Sequence, residues 1–315
     1  MNFTRSVIVT GGTQHLGYHA ALSIAQAHPE YLVVIASRSA RADAANTINR
    51  TLNQQNTRFI PLDLSSLDKV KDFAQKWASS GHAPIQALVL NAGIQHPYEL
   101  HLTEDGLEET FAVNHVGHAL LFHLLYPHLA QGARIVLTSS GTHDPAQKSG
   151  VTDAKYETAE QLAHPAGSDL KYPGRGRYST SKLVNVLWTY ALHRRLQVNM
   201  PEKSITVNAF DPGLMPGTGL SREATRFERF LWHKIMPNII PLLRRVFTPN
   251  VHTTEESGQA LARLAIGIDV AGVSGKYFEG LKQISSSIDS YDEKKQEDIW
   301  SWTINYLGKW GPVSF

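Results

Sequence analysis

The chain has 315 residues, with 30 Lys and Arg against 28 Asp and Glu, a formal charge of +2, and no cysteine. That balance gives no basic face on which to expect nucleic acid, and 42% hydrophobic with 18% charged residues excludes a disordered chain. The missing thiols exclude disulfides, thiolate nucleophiles and cysteine-based metal centres. The length admits one large α/β domain or two ordinary ones. Residues 1–6 are polar and an apolar run begins at Val7, so no leader is expected. No stretch reaches the roughly 18 apolar residues of a membrane span. The expected location is therefore cytoplasmic.

In chain order, short runs rich in Val, Ile and Leu fall at 7–10, 32–36, 58–62, 87–90, 134–138 and 205–210. They are continuous, without alternation, as buried parallel strands are. Helical spacing occupies 16–27, 40–53, 67–79 and 178–195 between them. Strand and helix alternating over most of the chain predict one doubly wound parallel β-sheet in a three-layer αβα arrangement, and a single domain over 1–315. Two segments break the rhythm. Residues 144–176 are polar and marked by Pro145, Pro165 and Pro173, and residues 214–250 set four prolines among bulky apolar side chains. They read as an insert and a substrate lid. A C-terminal helix over about 288–310 carries Trp300, Trp302 and Trp310. It docks on the core or makes a dimer contact, so monomer and homodimer both stand.

Directly after the first strand comes Thr10-Gly11-Gly12-Thr13-Gln14-His15-Leu16-Gly17, and then a helix. Glycines let backbone approach a pyrophosphate, and the helix N-terminus offers it free N–H groups, the Rossmann-type arrangement. Gly11, Thr13, Gln14, His15, Leu16 and Gly17 are the candidate contacts. The second strand ends Ala36-Ser37-Arg38 with no carboxylate for a ribose 2′-OH. Arg38 can pair bidentately with a 2′-phosphate, which selects NADPH/NADP+, with Ser37 beside it.

Further motifs follow in order: Asp63-Leu64, Asn91-Ala92-Gly93, Asn114, Ser139-Ser140, Tyr178-Ser-Thr-Ser-Lys182 and Pro212-Gly213. With the glycine loop they resemble the short-chain dehydrogenase/reductase family over about 7–278. Asn114-His115-Val116-Gly117-His118, Thr218-Gly219-Leu220-Ser221-Arg222-Glu223 and Glu255-Glu256-Ser257-Gly258 are similar to its retinol dehydrogenase and light-dependent protochlorophyllide reductase branch. The long insert before Tyr178 also matches. Two departures stand out. His15 occupies a usual glycine position, and Val184 and Leu214 stand where the light-dependent enzymes carry cysteines, which argues against photochemistry.

Tyr178 and Lys182, at i and i+4, share a helix face. A nearby ammonium favours the phenolate, so the pairing is expected to lower the tyrosine's pKa. The resemblance implies that Tyr178 exchanges a proton with the carbonyl or alcohol oxygen while Ser140 holds that oxygen. Ser139 is the rival for the serine role. Lys182 also binds the nicotinamide ribose, and Asn114 holds a relay water. The resemblance further places Asp63 and Leu64 at the adenine, Asn91, Ala92 and Gly93 at its ribose, and Pro212 and Gly213 beside the nicotinamide. Thr218, one residue past the family's threonine position, is a weaker candidate for the carboxamide.

His115 and His118 have metal-ligand spacing, but no third ligand stands beside them, and no metal is expected. Residues 227–247 are apolar with basic flanks and proline breaks. They read as the wall of a pocket for a hydrophobic carbonyl compound or alcohol, as a peripheral membrane contact, or as a helix pair packed on the core. The expected function is an NADPH-dependent carbonyl reductase or the reverse alcohol dehydrogenase. A light-dependent protochlorophyllide-type reductase and a non-enzymatic NADPH-sensing regulator are the alternatives.

Overall fold

The computed structural model describes residues 3–218, 230–311 and 313; residues 219–229 of the expected lid lie outside them. Each apolar run is a strand. β1 (Arg5–Thr10), β2 (Tyr31–Ser37), β3 (Thr57–Pro61), β4 (Ile85–Leu90), β5 (Leu129–Thr138) and β6 (Thr206–Asp211) all pair in parallel. Two further strands went unread in the sequence, β7 (Lys276–Glu279), parallel to β6, and β8 (Lys282–Ile284). β8 departs from the all-parallel expectation. Gly280, at φ +54°, turns the chain back at once and leaves β8 antiparallel to β7. The sheet order is β3-β2-β1-β4-β5-β6-β7-β8.

The helices, in chain order, are α1 (His15–Ala27), α2 (Ala44–Leu52), α3 (Leu67–Ser79), α4 (Glu109–Phe111), α5 (Gly117–Leu125), α6 (Ala159–Ala163), α7 (Gly174–Asn199), α8 (Ile240–Val246), α9 (Thr254–Ile266) and α10 (Glu293–Leu307). Successive strand side chains feed opposite faces. Ile8, Val34, Leu88 and Ile135 join one buried cluster with residues of α3, α5, α7 and α10. Val7, Val9, Val33 and Val89 join another with α1, α2 and α9. This is the three-layer αβα arrangement.

Three boundaries moved. The expected helix over 40–53 is a 3₁₀ turn (Arg41–Asp43) followed by α2, because Asp43 adopts φ 52° between them. The helix expected over 178–195 runs over the whole of α7, starting after Pro173 at its N-cap. The C-terminal helix begins at α10, where the Asp292 side chain accepts from the Lys294 and Lys295 N–H groups.

Candidate active site

The strand order reverses between β1 and β4, and the loops leaving their carboxyl ends form the crevice where such sheets bind ligands. Gly11 takes φ +68°, and a Cβ there would lie 3.0 Å from Ala92 Cα. A Cβ at Gly17 would lie 2.5 Å from the Gly11 carbonyl oxygen. His15 takes φ 48°, so the residue that replaces the usual glycine keeps a left-handed backbone, which histidine adopts more readily than most residues. α1 begins at His15 with no side-chain bond from its N-cap, Gln14, and no acidic residue in its first turn. Its leading N–H groups therefore lack the usual side-chain acceptor and suit an anion.

Beside this loop, Thr13 Oγ1 donates to Ser37 Oγ (3.3 Å), and Arg41 donates to Gln14 Oε1 (3.0 Å). Arg38 is exposed just past β2. Lys69, within the field of Arg38, donates to Asp63 Oδ2 at 3.1 Å. The other Asp63 oxygen accepts from the Ser65 hydroxyl (2.7 Å). Leu16 and Leu64 are buried beneath.

One residue missed in the sequence ties these loops together. Thr10 Oγ1 accepts from the backbone N–H groups of Asn91 (2.9 Å) and Ala92 (3.0 Å) and lies 2.9 Å from His118 Nε2. His118 Nδ1 is 3.3 Å from the Asn114 carbonyl oxygen. That contact makes Nδ1 the protonated nitrogen and leaves Nε2 to accept from Thr10. Asn91 Nδ2 in turn donates to the Thr10 carbonyl (2.8 Å).

α7 carries Tyr178 and Lys182, both buried, with the Lys182 ammonium 5.4 Å from the centre of the Tyr178 ring. Lys182 Nζ donates to the Thr138 carbonyl at 3.0 Å. Ser140, two residues past the end of β5, accepts from the Thr142 N–H (3.3 Å) and lies close enough to Tyr178 to favour its phenolate. Its rival, Ser139, is buried and donates to the Lys182 carbonyl at 2.8 Å, which occupies its hydroxyl proton. Asn114 sits in a π turn (Ala112–Val116) between α4 and α5, a widened turn that re-aims a side chain. Its Oδ1 accepts from the Ile94 N–H (2.8 Å), and its Nδ2 donates to the Ile94 carbonyl (3.1 Å) and Ser181 Oγ (2.9 Å). A Cβ on Gly93 would lie 3.3 Å from Asn114 Oδ1 and 3.4 Å from Lys182 Nζ. The structure thus gathers Asn114, Ser140, Tyr178 and Lys182, with Gly93 between the amide and the ammonium.

The electrostatics correct one expectation. Burial, with the Asp211 carboxylate adding to it, pushes the Tyr178 phenol up, and the Ser140 hydrogen bond only partly offsets this. Burial also pulls Lys182 down to about 8, with Asp211 opposing. The phenol is not lowered as the spacing suggested, because desolvation dominates its surroundings. Asp211, buried at the end of β6, accepts from the Gly213 N–H (2.9 Å) and from Asn250 Nδ2 (3.0 Å). Only its place before Pro212-Gly213 marked it in the sequence. The Pro212 carbonyl accepts from Ser257 Oγ (2.7 Å), which gives the Glu255–Gly258 motif a packing role. Thr218 Oγ1 donates to the Met215 carbonyl (3.0 Å), while 219–223 of its motif lie outside the described residues. His115 and His118 do not converge. His115 Nε2 lies 2.9 Å from Thr303 Oγ1, and burial brings both rings down to about 3.

A crevice at the reversal of a parallel sheet, lined by a glycine loop and a Tyr–Lys pair, belongs to the nicotinamide-dependent oxidoreductases. The family model described as short chain dehydrogenase matches residues 5–156, and that of the AcuH dehydrogenase domain matches 222–310. Human retinol dehydrogenase 13 is 33% identical over 313 residues, covering 98% of this chain and 86% of that protein. Polyprenol dehydrogenase of Danio rerio is 29% identical, covering 96% and 86%. An uncharacterised protein of Mycobacterium paratuberculosis superposes with a TM-score of 0.66 at 24% identity, covering 97% of this chain and 94% of the other. The chain belongs to the short-chain dehydrogenase/reductase family, in its retinol dehydrogenase branch. It is accordingly an oxidoreductase of the CH–OH/C=O class that uses a nicotinamide cofactor and a small-molecule substrate.

Proposed function

We propose that the chain uses NADPH to reduce an apolar ketone or aldehyde, or NADP+ to oxidise the matching alcohol, through Asn114, Ser140, Tyr178 and Lys182. The observation that carries this reading is the convergence of the Ser140 hydroxyl, the Tyr178 phenol and the Lys182 ammonium at the carboxyl end of β5. The cofactor, when bound, supplies or accepts the hydride. The chain's own groups handle the oxygen and its proton. The raised pKa keeps the Tyr178 phenol protonated at neutral pH, so it is ready to donate to a carbonyl oxygen that gains charge as hydride arrives. Ser140 holds the same oxygen. Asn114 keeps the loop at Ile94 in place beside Lys182.

Residues at both ends of the crevice fit the dinucleotide. The α1 N-terminus, without a side-chain cap, suits the pyrophosphate. The exposed Arg38, with Lys69 nearby, suits a 2′-phosphate. Gly11, Thr13, Gln14, His15, Leu16 and Gly17 would lie along the phosphates. Ser37, Asp63, Leu64, Asn91, Ala92 and Gly93 would border the adenosine, and Pro212 and Gly213 the nicotinamide.

An apolar substrate follows from the lid, where Phe230, Leu242, Val246 and Phe247 are each more than half exposed. The relatives point the same way, being named for retinol and polyprenol, both apolar alcohols. The exposed lid face also suits a peripheral membrane contact, and no described helix is long and apolar enough to cross a membrane. The test is a panel of apolar aldehydes, ketones and alcohols, run in the dark with each nicotinamide cofactor. Turnover with NADPH or NADP+ is expected. Tight NADPH binding with no turnover across the panel would overturn the reading in favour of a sensor.

A further inference from the structure

We propose that His96, His101 and Glu109 form a zinc site, outside the catalytic constellation and independent of the reaction assigned above. One ligand atom from each lies within 4.8 Å of the others. His96 Nε2 is 3.0 Å from Glu109 Oε2, and the two imidazole rings are 4.2 Å apart between centroids, inclined at 35°. Around a tetrahedral zinc with nitrogen and oxygen ligands at about 2.0–2.2 Å, neighbouring donor atoms stand about 3.3 Å apart. The closest pair already stands near that spacing, and the third donor lies within 4.8 Å of both. Two imidazoles and one carboxylate suit zinc, whereas calcium and magnesium favour all-oxygen shells.

The backbone holds these side chains in place. The Glu109 N–H donates to the His101 carbonyl at 2.9 Å, Leu102 and Glu108 form an antiparallel bridge, and the Thr103 N–H donates to the Leu107 carbonyl at 2.8 Å. His101 and Glu109 thus face each other across a small closed loop. His96 comes from the stretch after Gly93, whose path is fixed where its carbonyl packs against Gly174. A Cβ on Gly174 would overlap that oxygen. Arg177 pins the same stretch by donating to the Glu99 carbonyl at 2.6 Å. The side chains of His96 and Glu109 are 15% and 20% exposed, while His101 is 41% exposed. One flank is therefore partly shielded and the other open to an arriving ion. The Glu99 carboxylate, 3.9 Å from His101 Nε2, or a water completes four-coordination.

This site joins the loop after β4 to α4, at the start of the helical run that carries Asn114. The histidines weighed in the sequence, His115 and His118, are engaged elsewhere, and the fold supplies a donor set that their spacing did not announce. The experiment is a zinc titration of the full chain, without an affinity tag and previously stripped with chelator, against a competing chromophoric chelator, alongside thermal melting. Wild type should take up one zinc ion per chain and melt at a higher temperature when loaded. His96→Gln should bind at least about tenfold more weakly and lose the thermal shift. His101→Ala, at the most exposed ligand, should do the same and serves if His96→Gln does not fold. No saturable zinc binding by wild type, or an unchanged equivalent in His101→Ala, would overturn the proposal.

Discussion

Lys182 carries an ammonium into a pocket where burial brings its pKa down to about 8. The free enzyme therefore loses that charge as the pH rises through about 8, and with it the contact that Lys182 is proposed to make with the nicotinamide ribose. kcat/KM for NADPH should fall on the alkaline side with a midpoint near 8. Lys182→Arg, whose guanidinium stays charged, should remove that limb while lowering the plateau. An unchanged limb in the variant would assign it to another group. Arg38 is the residue proposed to meet the 2′-phosphate. On that proposal Arg38→Glu removes a charge-assisted pair of about 1.5–3 kcal/mol, so preference for NADPH over NADH should drop by at least about tenfold, read from the ratio of their kcat/KM values. Tyr178, Lys182, Ser140 and Asn114 were singled out in the sequence because they stand in motifs that resemble the family's, in its order, and the structure brings them near one another. Asp211, Thr10 and Ser181 lie beside or inside those motifs, but their roles were not legible. Thr10 bonds to Asn91 and Ala92, Ser181 to Asn114 and Asp211 to Asn250, each dozens of positions away. The direction of the Tyr178 shift was misread for a related reason: spacing reveals a neighbouring charge but not the depth of burial.

At the scale of elements, α5 and the π turn before it were not foreseen. They are buried almost all round, with His115, His118, Leu120, Leu121 and His123 among the buried residues, and a helix without an exposed face shows no amphipathic period. α9 did carry a signal, the reciprocal Thr253/Glu256 capping box. The histidines of α5 have a cost in acid. Burial brings His123 to about 3 from an ordinary 6.5, and neither ring nitrogen has a hydrogen-bond partner. Between those values the unfolded chain binds a proton that the folded chain excludes, so stability falls as pH drops from about 6.5 towards 3. His123→Leu should shrink the loss of stability between pH 7 and pH 5 by about 2 kcal/mol, measured by urea unfolding at both values. An equal loss in wild type and variant would show that this ring does not contribute.

At the scale of the molecule, the six central strands and the αβα layering could be read from apolar runs alone, because a parallel sheet buried on both faces leaves no other pattern. The insert could be located but not explained. Its role emerges at Arg177, buried beside Tyr178, which donates to the Tyr172 carbonyl at the end of the insert and to the Glu99 carbonyl of the loop after β4 (both 2.6 Å). Its Nε lies 3.4 Å from Glu108 Oε1, with both side chains almost wholly enclosed. Behind α7, on the face bearing Arg177 and Ser181, the insert closes over a cavity of about 260 Å³. Removing one member of a buried ion pair costs about 3–5 kcal/mol. Arg177→Met should therefore lower the unfolding free energy by about 3 kcal/mol or more, and the double variant with Glu108→Leu should recover most of it. A loss below about 1 kcal/mol would mean that the insert is held by its other contacts.

The central claim is that the Tyr178 phenol exchanges the proton while the rest of the crevice holds cofactor and substrate. Tyr178→Phe keeps the ring and removes only the hydroxyl. Single-turnover hydride transfer from NADPH to the best apolar carbonyl of the panel, measured with NADPH binding on the same variant, tests this most directly. Transfer should slow by about 10²–10⁴-fold with NADPH affinity within about threefold of wild type. A variant that binds NADPH normally and transfers hydride at the wild-type rate would contradict the account.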